Sequence, residues 1–185
     1  MIPLDLNVPE AYDFYRRYLL GTAKDKTAIY VRYGFNPPEV ASKDWEVFAA
    51  ILLQDKARGG DGADLERHEV KSAGYGWSFE YQYHRFHGEQ KLNEDKEVNH
   101  LFISYANNYQ DIEVRYLYGK DLASVFESWR PGLIANYEAR RQRYRKSISF
   151  GYVKMYGTLI LKIKEGELVA LPPEGDLGYL TPSML

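Results

Sequence analysis

The sequence contains no cysteine, which excludes disulfides and thiolate metal centres and is compatible with a reducing cytosol. The start, Met1-Ile2-Pro3-Leu4-Asp5-Leu6, lacks a basic region and an apolar run, and no stretch is long and apolar enough to cross a bilayer. A soluble, cytoplasmic protein with no membrane partner is expected. An excess of charge is missing too: 24 Lys and Arg against 26 Asp and Glu leave a formal net charge of −2. Any contact to nucleic acid must therefore come from a local basic patch or a partner chain. The glycine run carries no Gly-Lys-Ser/Thr phosphate loop, and no dinucleotide fingerprint follows a strand, which argues against a metabolic enzyme built on those motifs.

Tyrosine is abundant, with 17 residues, suited to half-buried packing and to contacts with sugar, base or phosphate. A chain of 185 residues, 45% hydrophobic and 27% charged, fits one domain over residues 1–185 with a sizeable core.

Hydrophobic periodicity outlines the elements. Pro9 opens a helix with Ala11, Tyr15, Tyr18 and Leu19 on one face and Gly21 at its end; Thr27 to Arg32 reads as a short strand before Asn36-Pro37-Pro38. Trp45, Phe48, Ala49, Leu52 and Leu53 recur at helical spacing between Ser42 and Ala57, with Ser42 or Asp44 as cap. Ser78 to His84 alternates strictly, which places Phe79, Tyr81 and Tyr83 in a core and Glu80, Gln82 and His84 on the other face, beside the strand before it. His100–Tyr105 and 112–118 read as strands, and a helix from Lys120 ends before Pro131. A further helix, Leu133 to Arg145, carries Arg140, Arg141, Arg143 and Arg145 with Lys146 next to it, a reversal of the overall charge that suits phosphate. Ile148 to Ala170 reads as strands turning at Glu165-Gly166, and the end after Pro172-Pro173 as a loose or docked arm.

Chemistry concentrates in Gly59-Gly60-Asp61-Gly62-Ala63-Asp64-Leu65-Glu66-Arg67-His68-Glu69-Val70-Lys71. A two-residue turn at Glu66-Arg67 sets Asp64 opposite Glu69, while Lys71 falls on the same face and Val70 faces a core with Ala63. Paired carboxylates repel unless a proton, cation or solvent intervenes. A hard divalent ion such as Mg2+, which takes one or two carboxylates plus water and phosphate oxygens, suits the pair. Glu94-Asp95-Lys96 repeats the acid-x-Lys spacing in a polar run and reads as solvated loop.

Asp64, a short gap and Glu69-Val70-Lys71 on a hairpin resemble the PD-(D/E)XK nuclease superfamily, and the glycine-rich approach is most similar to its Mrr-like branch. The resemblance covers residues 42 to 118. Ala63 stands where the superfamily has proline, and the gap is shorter than usual, so Asp61 remains an alternative motif aspartate. The resemblance implies an α/β fold with a mixed central sheet flanked by helices, a restriction endonuclease-like core with C-terminal β additions. It implies a Mg2+-dependent DNA endonuclease in which Asp64, Glu69 and the Val70 backbone hold metal and Lys71 orients water. Glu46, on the preceding helix, joins the site as it does in Mrr-like relatives. Ser72, Gln82, His84 and the basic cluster are the DNA-contacting candidates. A type II restriction enzyme, or a cleavage subunit working on double-stranded DNA as a homodimer or with a recognition subunit, is the leading expectation. A structure-specific repair nuclease and a non-catalytic binding module are the rivals.

Overall fold

The N-terminal residues form one continuous helical run: α1 (Val8–Phe14), a π-helical segment (Tyr15–Gly21) and α2 (Thr22–Arg32). The computed structural model describes residues 4–37, 39–60 and 62–170. Gly21 does not end the helix, and Thr27 to Arg32 is helical, not extended. A Cβ on Gly21 would sit 3.1 Å from the Arg16 carbonyl oxygen, so glycine here permits the wider turn. The strand-like Ile29 and Val31 then project outward, each about 60% exposed (58% and 61%); helix continuity has overridden β-propensity.

α3 (Ser42–Leu53) buries Trp45, Phe48, Ala49, Leu52 and Leu53, as the spacing required. Its N-cap is Ala41, with no side-chain cap from Ser42 or Asp44, and it stops at Leu53, before Ala57. Gln54 terminates it in the left-handed region at φ 50°. A Cβ is disfavoured there, so Gln54→Gly should raise stability by about 0.5–1 kcal/mol, read as a shift in the urea midpoint without a change in slope.

The remaining elements are β1 (His68–Gly74), β2 (Phe79–His84), α4 (Gly88–Asp95), β3 (Asn99–Tyr105), β4 (Ile112–Leu117), α5 (Gly119–Glu138), β5 (Arg143–Ile148), α6 (Phe150–Tyr156), β6 (Thr158–Lys164) and β7 (Glu167–Ala170). They build a five-stranded mixed sheet in the order β1-β3-β4-β6-β7, in which only β1 and β3 run parallel. β2 pairs with β5, not beside β1, in a separate antiparallel ribbon. The fold is thus α/β, a mixed sheet flanked by helices.

Two apolar clusters sandwich the sheet. One packs α1, the π-helical segment and α3 on Val70, Leu101, Ile103 and Val114. The other packs Phe79, Tyr81 and Tyr83 of β2 with Leu122, Phe126, Trp129 and Leu133 of α5 on Ala73 and Phe102. The alternation of β2 is realised: its three aromatics are each 1% exposed. β1 is therefore covered on both faces, and its acidic-basic face lies in the seam between the sheet and the second layer.

Three expectations fail in the C-terminal half. α5 runs through Pro131, where a helix-interior proline costs about 3 kcal/mol; Phe126, Trp129 and Leu133 all bury on the same cluster, which outweighs that cost. The helix then ends at Glu138, so the basic run is not helical: Arg140 takes a left-handed turn (φ 57°) and Arg143 to Lys146 enter β5. The segment after Ile148 begins with helix α6, capped by the Ser149 hydroxyl accepting from Tyr152 N–H, before the expected strands and the Glu165-Gly166 turn. The arm after Pro172-Pro173 lies outside the described residues.

Candidate active site

A turn at Glu66-Arg67 is closed by Leu65 N–H donating to the His68 carbonyl at 2.9 Å, but it does not extend into a two-stranded hairpin, because Leu65 bridges back to Ala57. The turn nevertheless brings the Asp64 carboxylate to the start of β1, where Oδ2 accepts from Val70 N–H at 3.0 Å. β1 is an edge strand, so Val70 spends its N–H on Asp64 and not on a neighbouring strand. Its carbonyl, which points the same way in extended backbone, faces that same edge.

Glu69 and Lys71 share the opposite face of β1 and pair with each other. A second ammonium, Lys91 of α4, donates to Glu69 at 2.6 Å and to Asp95 at 2.7 Å. Asp95 also accepts from Tyr83 Oη at 2.9 Å, and the Lys71 ammonium lies 4.9 Å from the centre of the Tyr81 ring. Glu69 is 2% exposed and Asp95 0%. Glu94-Asp95-Lys96 is accordingly not solvated loop: Asp95 is a buried member of the site, reached by the i,i+4 step from Lys91, and Glu94 pairs with Arg58. Lys91 and Asp95 escaped the sequence reading because only Leu92 marks the buried face of α4; the Lys91-to-Asp95 spacing was the available signal.

The carboxylates are held in different states. Burial, reinforced by the charge of Glu69, pushes Asp64 up to about 6, against the opposing pull of Lys71 and the Val70 N–H. Burial would raise Glu69 as well, but the Lys71 and Lys91 ammoniums hold it well below the usual carboxylate range. Burial alone would lower Lys71, yet Glu69 and Asp64 raise it, so it is an ammonium near neutrality and acts as a donor. Glu46 on α3 pairs with Lys43 and adds its charge to the field on Asp64. The structure thus gathers Glu46, Asp64, Glu69 and Lys71 about the start of β1, and adds Lys91 and Asp95. Asp61 lies outside the described residues.

No known protein family and no curated protein matches the sequence.

The donors themselves offer a test of fit to an ion. They are all oxygens, which suits a hard divalent cation over a soft one. Asp64 keeps Oδ1 clear of hydrogen bonds among the described residues, and it is a desolvated carboxyl beside a second carboxylate. No cluster of three or more His, Cys, Asp or Glu is poised as a metal cage among the described residues. One or two carboxylates would suit a hard cation that keeps most of its waters. A polar cavity of about 270 Å3, lined by Arg58, Gly59, Gly62, Gln90 and Lys91 among others, leads up to Lys91.

The candidate DNA-contacting residues separate. In the β2–β5 ribbon His84 is opposite Arg143 and Gln82 opposite Arg145. With its amide oxygen turned toward Arg145, Gln82 accepts from Nη2 and Nε at 3.0 and 2.9 Å. Arg140 and Arg141 lie in the exposed turn leading into β5. Lys146 falls opposite Tyr81 in the register and sits over the Tyr144 ring, and Ser72 lies on the face of β1 away from Lys71. Trp77 and Phe86, 71% and 79% exposed, flank the ribbon strand β2.

Proposed function

We propose that the protein is a Mg2+-dependent DNA endonuclease hydrolysing phosphodiester bonds, of the restriction type or the cleavage subunit of such an enzyme. The observation that carries this reading is the convergence of Asp64 on Val70 N–H beside Glu69 and a Lys71 kept protonated. Asp64 Oδ1, Glu69 and the Val70 carbonyl are the groups that would hold the ion. When bound, Mg2+ neutralises charge on the phosphate and makes water more acidic.

The protein's own groups do the rest. Lys71, as a donor, orients the attacking water and faces the charge that grows on phosphorus-bound oxygen. Lys91 keeps Glu69 aligned and presents positive charge to the polar cavity. Tyr81 and Tyr83 close the rear of the site with buried rings, and so keep bulk water from competing.

The exposed arginines of the ribbon and its entry turn are the proposed path for double-stranded DNA, with Trp77 and Phe86 available for stacking. Replacing Arg143 and Arg145 together by Gln should weaken DNA binding about tenfold at low salt and reduce the slope of log affinity against log salt by about 2, read by fluorescence anisotropy. The near-neutral overall charge favours a homodimer or a recognition partner over self-sufficient binding.

The deciding experiment is cleavage of supercoiled plasmid and of branched DNA by purified protein, with Mg2+ and with EDTA. Metal-dependent nicking or cutting supports the reading, and preference for the branched substrate moves it to a repair nuclease. DNA binding without cleavage, indifferent to Mg2+, overturns it. That outcome favours a non-catalytic binding module, for which the closed Glu69-Lys71-Lys91 network is itself an argument.

A further inference from the structure

The two edges of the β2–β5 ribbon differ. Arg85 N–H donates to the Gln142 carbonyl at 3.0 Å, one step beyond the pairing of His84 with Arg143. In an antiparallel ladder bonded pairs alternate with unbonded ones, so Tyr144, Lys146 and Ile148 spend their backbone groups on β2. The N–H and C=O groups of Arg143, Arg145 and Ser147 therefore point the other way, to the outer edge of β5. None of them has a hydrogen-bond partner among the described residues. On β2 the same alternation turns the His84 carbonyl outward, and there it accepts from Tyr137 Oη at 2.8 Å. α5 thus caps that end of the β2 edge, while the β5 edge is bare.

A bare edge is a template for another strand, and proteins commonly blunt one with proline, a bulge or brevity. β5 has none of these. It holds continuous register with β2 over 6 residues, and Arg143, Arg145, Lys146 and Ser147 are exposed. What it carries is charge of one sign. Arg143 has no ion-pair partner among the described residues, and Arg145 has Gln82 beside it and Glu80 only at 3.7 Å. Both arginines project on the outer face, two positions apart. Pairing β5 about Arg145 with its counterpart in a second copy sets arginine against arginine on that face, which disfavours a homotypic contact.

We propose that the β5 edge takes an extended acidic segment of a partner protein as an added strand. The segment's backbone bonds to Arg143, Arg145 and Ser147, and its alternate carboxylates lie on the outer face beside the two arginines. The edge offers donors and acceptors in turn, which a peptide backbone matches and a phosphate backbone, all acceptor, does not. The inference stands without the nuclease reading. Taken with it, an acidic strand on β5 covers arginines proposed to hold DNA, so the two ligands should compete.

Fluorescence anisotropy of the full chain, without metal, with a labelled, end-capped peptide alternating Glu with Val tests it. That peptide should bind saturably at low salt, at least about tenfold more tightly than peptides alternating Lys with Val or Glu with Pro. The Glu-Pro peptide keeps the charge but loses half of its backbone donors and the freedom to pair as a strand. Ser147→Pro removes an outward N–H and no ladder bond, so it should weaken peptide binding about tenfold and leave duplex DNA binding unchanged. Ser147→Val, which keeps the N–H, should bind like the wild type. If Ser147→Pro does not fold, the Glu-Pro comparison decides alone. No saturable binding of the Glu-Val peptide, equal binding of the Glu-Pro peptide, or wild-type peptide affinity in folded Ser147→Pro overturns the proposal. Loss of duplex binding in step with peptide binding assigns the edge to DNA and overturns it, and self-association that Ser147→Pro abolishes assigns it to a second copy and does the same. None of these outcomes involves Mg2+ or cleavage, so failure here and failure of the nuclease reading are separate results.

Discussion

Glu69→Ala should cost about 3–5 kcal/mol of folding stability, measured by urea unfolding at pH 7, a loss set by the removal of one partner from a buried ionic network. Glu69 is 2% exposed and pairs with two ammoniums at once. Without it Lys91 retains Asp95, but Lys71 loses its bonded carboxylate while still lying over the Tyr81 ring within the seam. The double change Glu69→Leu with Lys71→Met should be milder than Glu69→Ala alone, since replacing both members of a buried pair by apolar groups of similar size is often neutral. A cycle through the two single variants isolates their coupling. The same network predicts acid sensitivity. Glu69 has a folded value below its unfolded one, which lies near ~4.3, so its stabilisation is complete above that value and is lost as pH falls toward the folded value. Additive losses in the cycle would show that the paired groups do not act as a buried unit.

Sequence periodicity was most informative where one element meets one apolar layer. α3 and β2 each present a single pattern to a single cluster, and both were legible almost residue by residue. Where two signals compete the local one misleads. Pro131 looked like a stop, but a helix interior tolerates it when the residues beyond, here Leu133, bury on the same cluster. Because α5 took the residues up to Glu138, the basic run was left to alternate along β5. Thr27 to Arg32 has strand-like residues but follows a helix with no break at Gly21.

The candidate site shows the same division. Asp64, Glu69 and Lys71 lie within eight positions of one another in the sequence, so their meeting could be reasoned from a turn and a two-residue strand repeat. Leu65 N–H on the His68 carbonyl closes the turn at Glu66-Arg67, but the hairpin does not continue, and Asp64 is bonded to the Val70 backbone and not ranged opposite Glu69; proximity survived the difference. Lys91 and Asp95 come from a helix whose position depends on the packing of the second layer, and Asp55 meets His68 only because α3 ends beside β1. Such contacts have no local periodicity to betray them. Whether β1 faced solvent or a second layer was equally invisible, because Ala73 is a small residue on the otherwise charged face.

Asp64→Asn should abolish Mg2+-dependent cleavage and at the same time stabilise the metal-free protein at pH 8, by about 1–3 kcal/mol. The asparagine oxygen can still accept from Val70 N–H, so the bend is preserved, but the side chain no longer carries charge. In the wild type burial and the Glu69 charge place the Asp64 carboxyl near 6, against an unfolded value of ~3.9. Between these values the unfolded chain has released its proton and the folded chain has not. Stability therefore falls as pH rises from about 4 to about 6, and above that the ionised group is a constant burden relieved only by a cation. The variant should match the wild type near pH 4, diverge through that window, and remain ahead above it. Millimolar Mg2+ should raise the melting temperature of the wild type and leave the variant unmoved, because only the native state of the wild type retains the charged ligand. Two results would sink the assignment: full cleavage by Asp64→Asn, or a melting temperature that answers to Mg2+ equally in both proteins. The stability gain and the loss of cleavage have one origin, a carboxylate kept desolvated beside another so that a cation is its best partner.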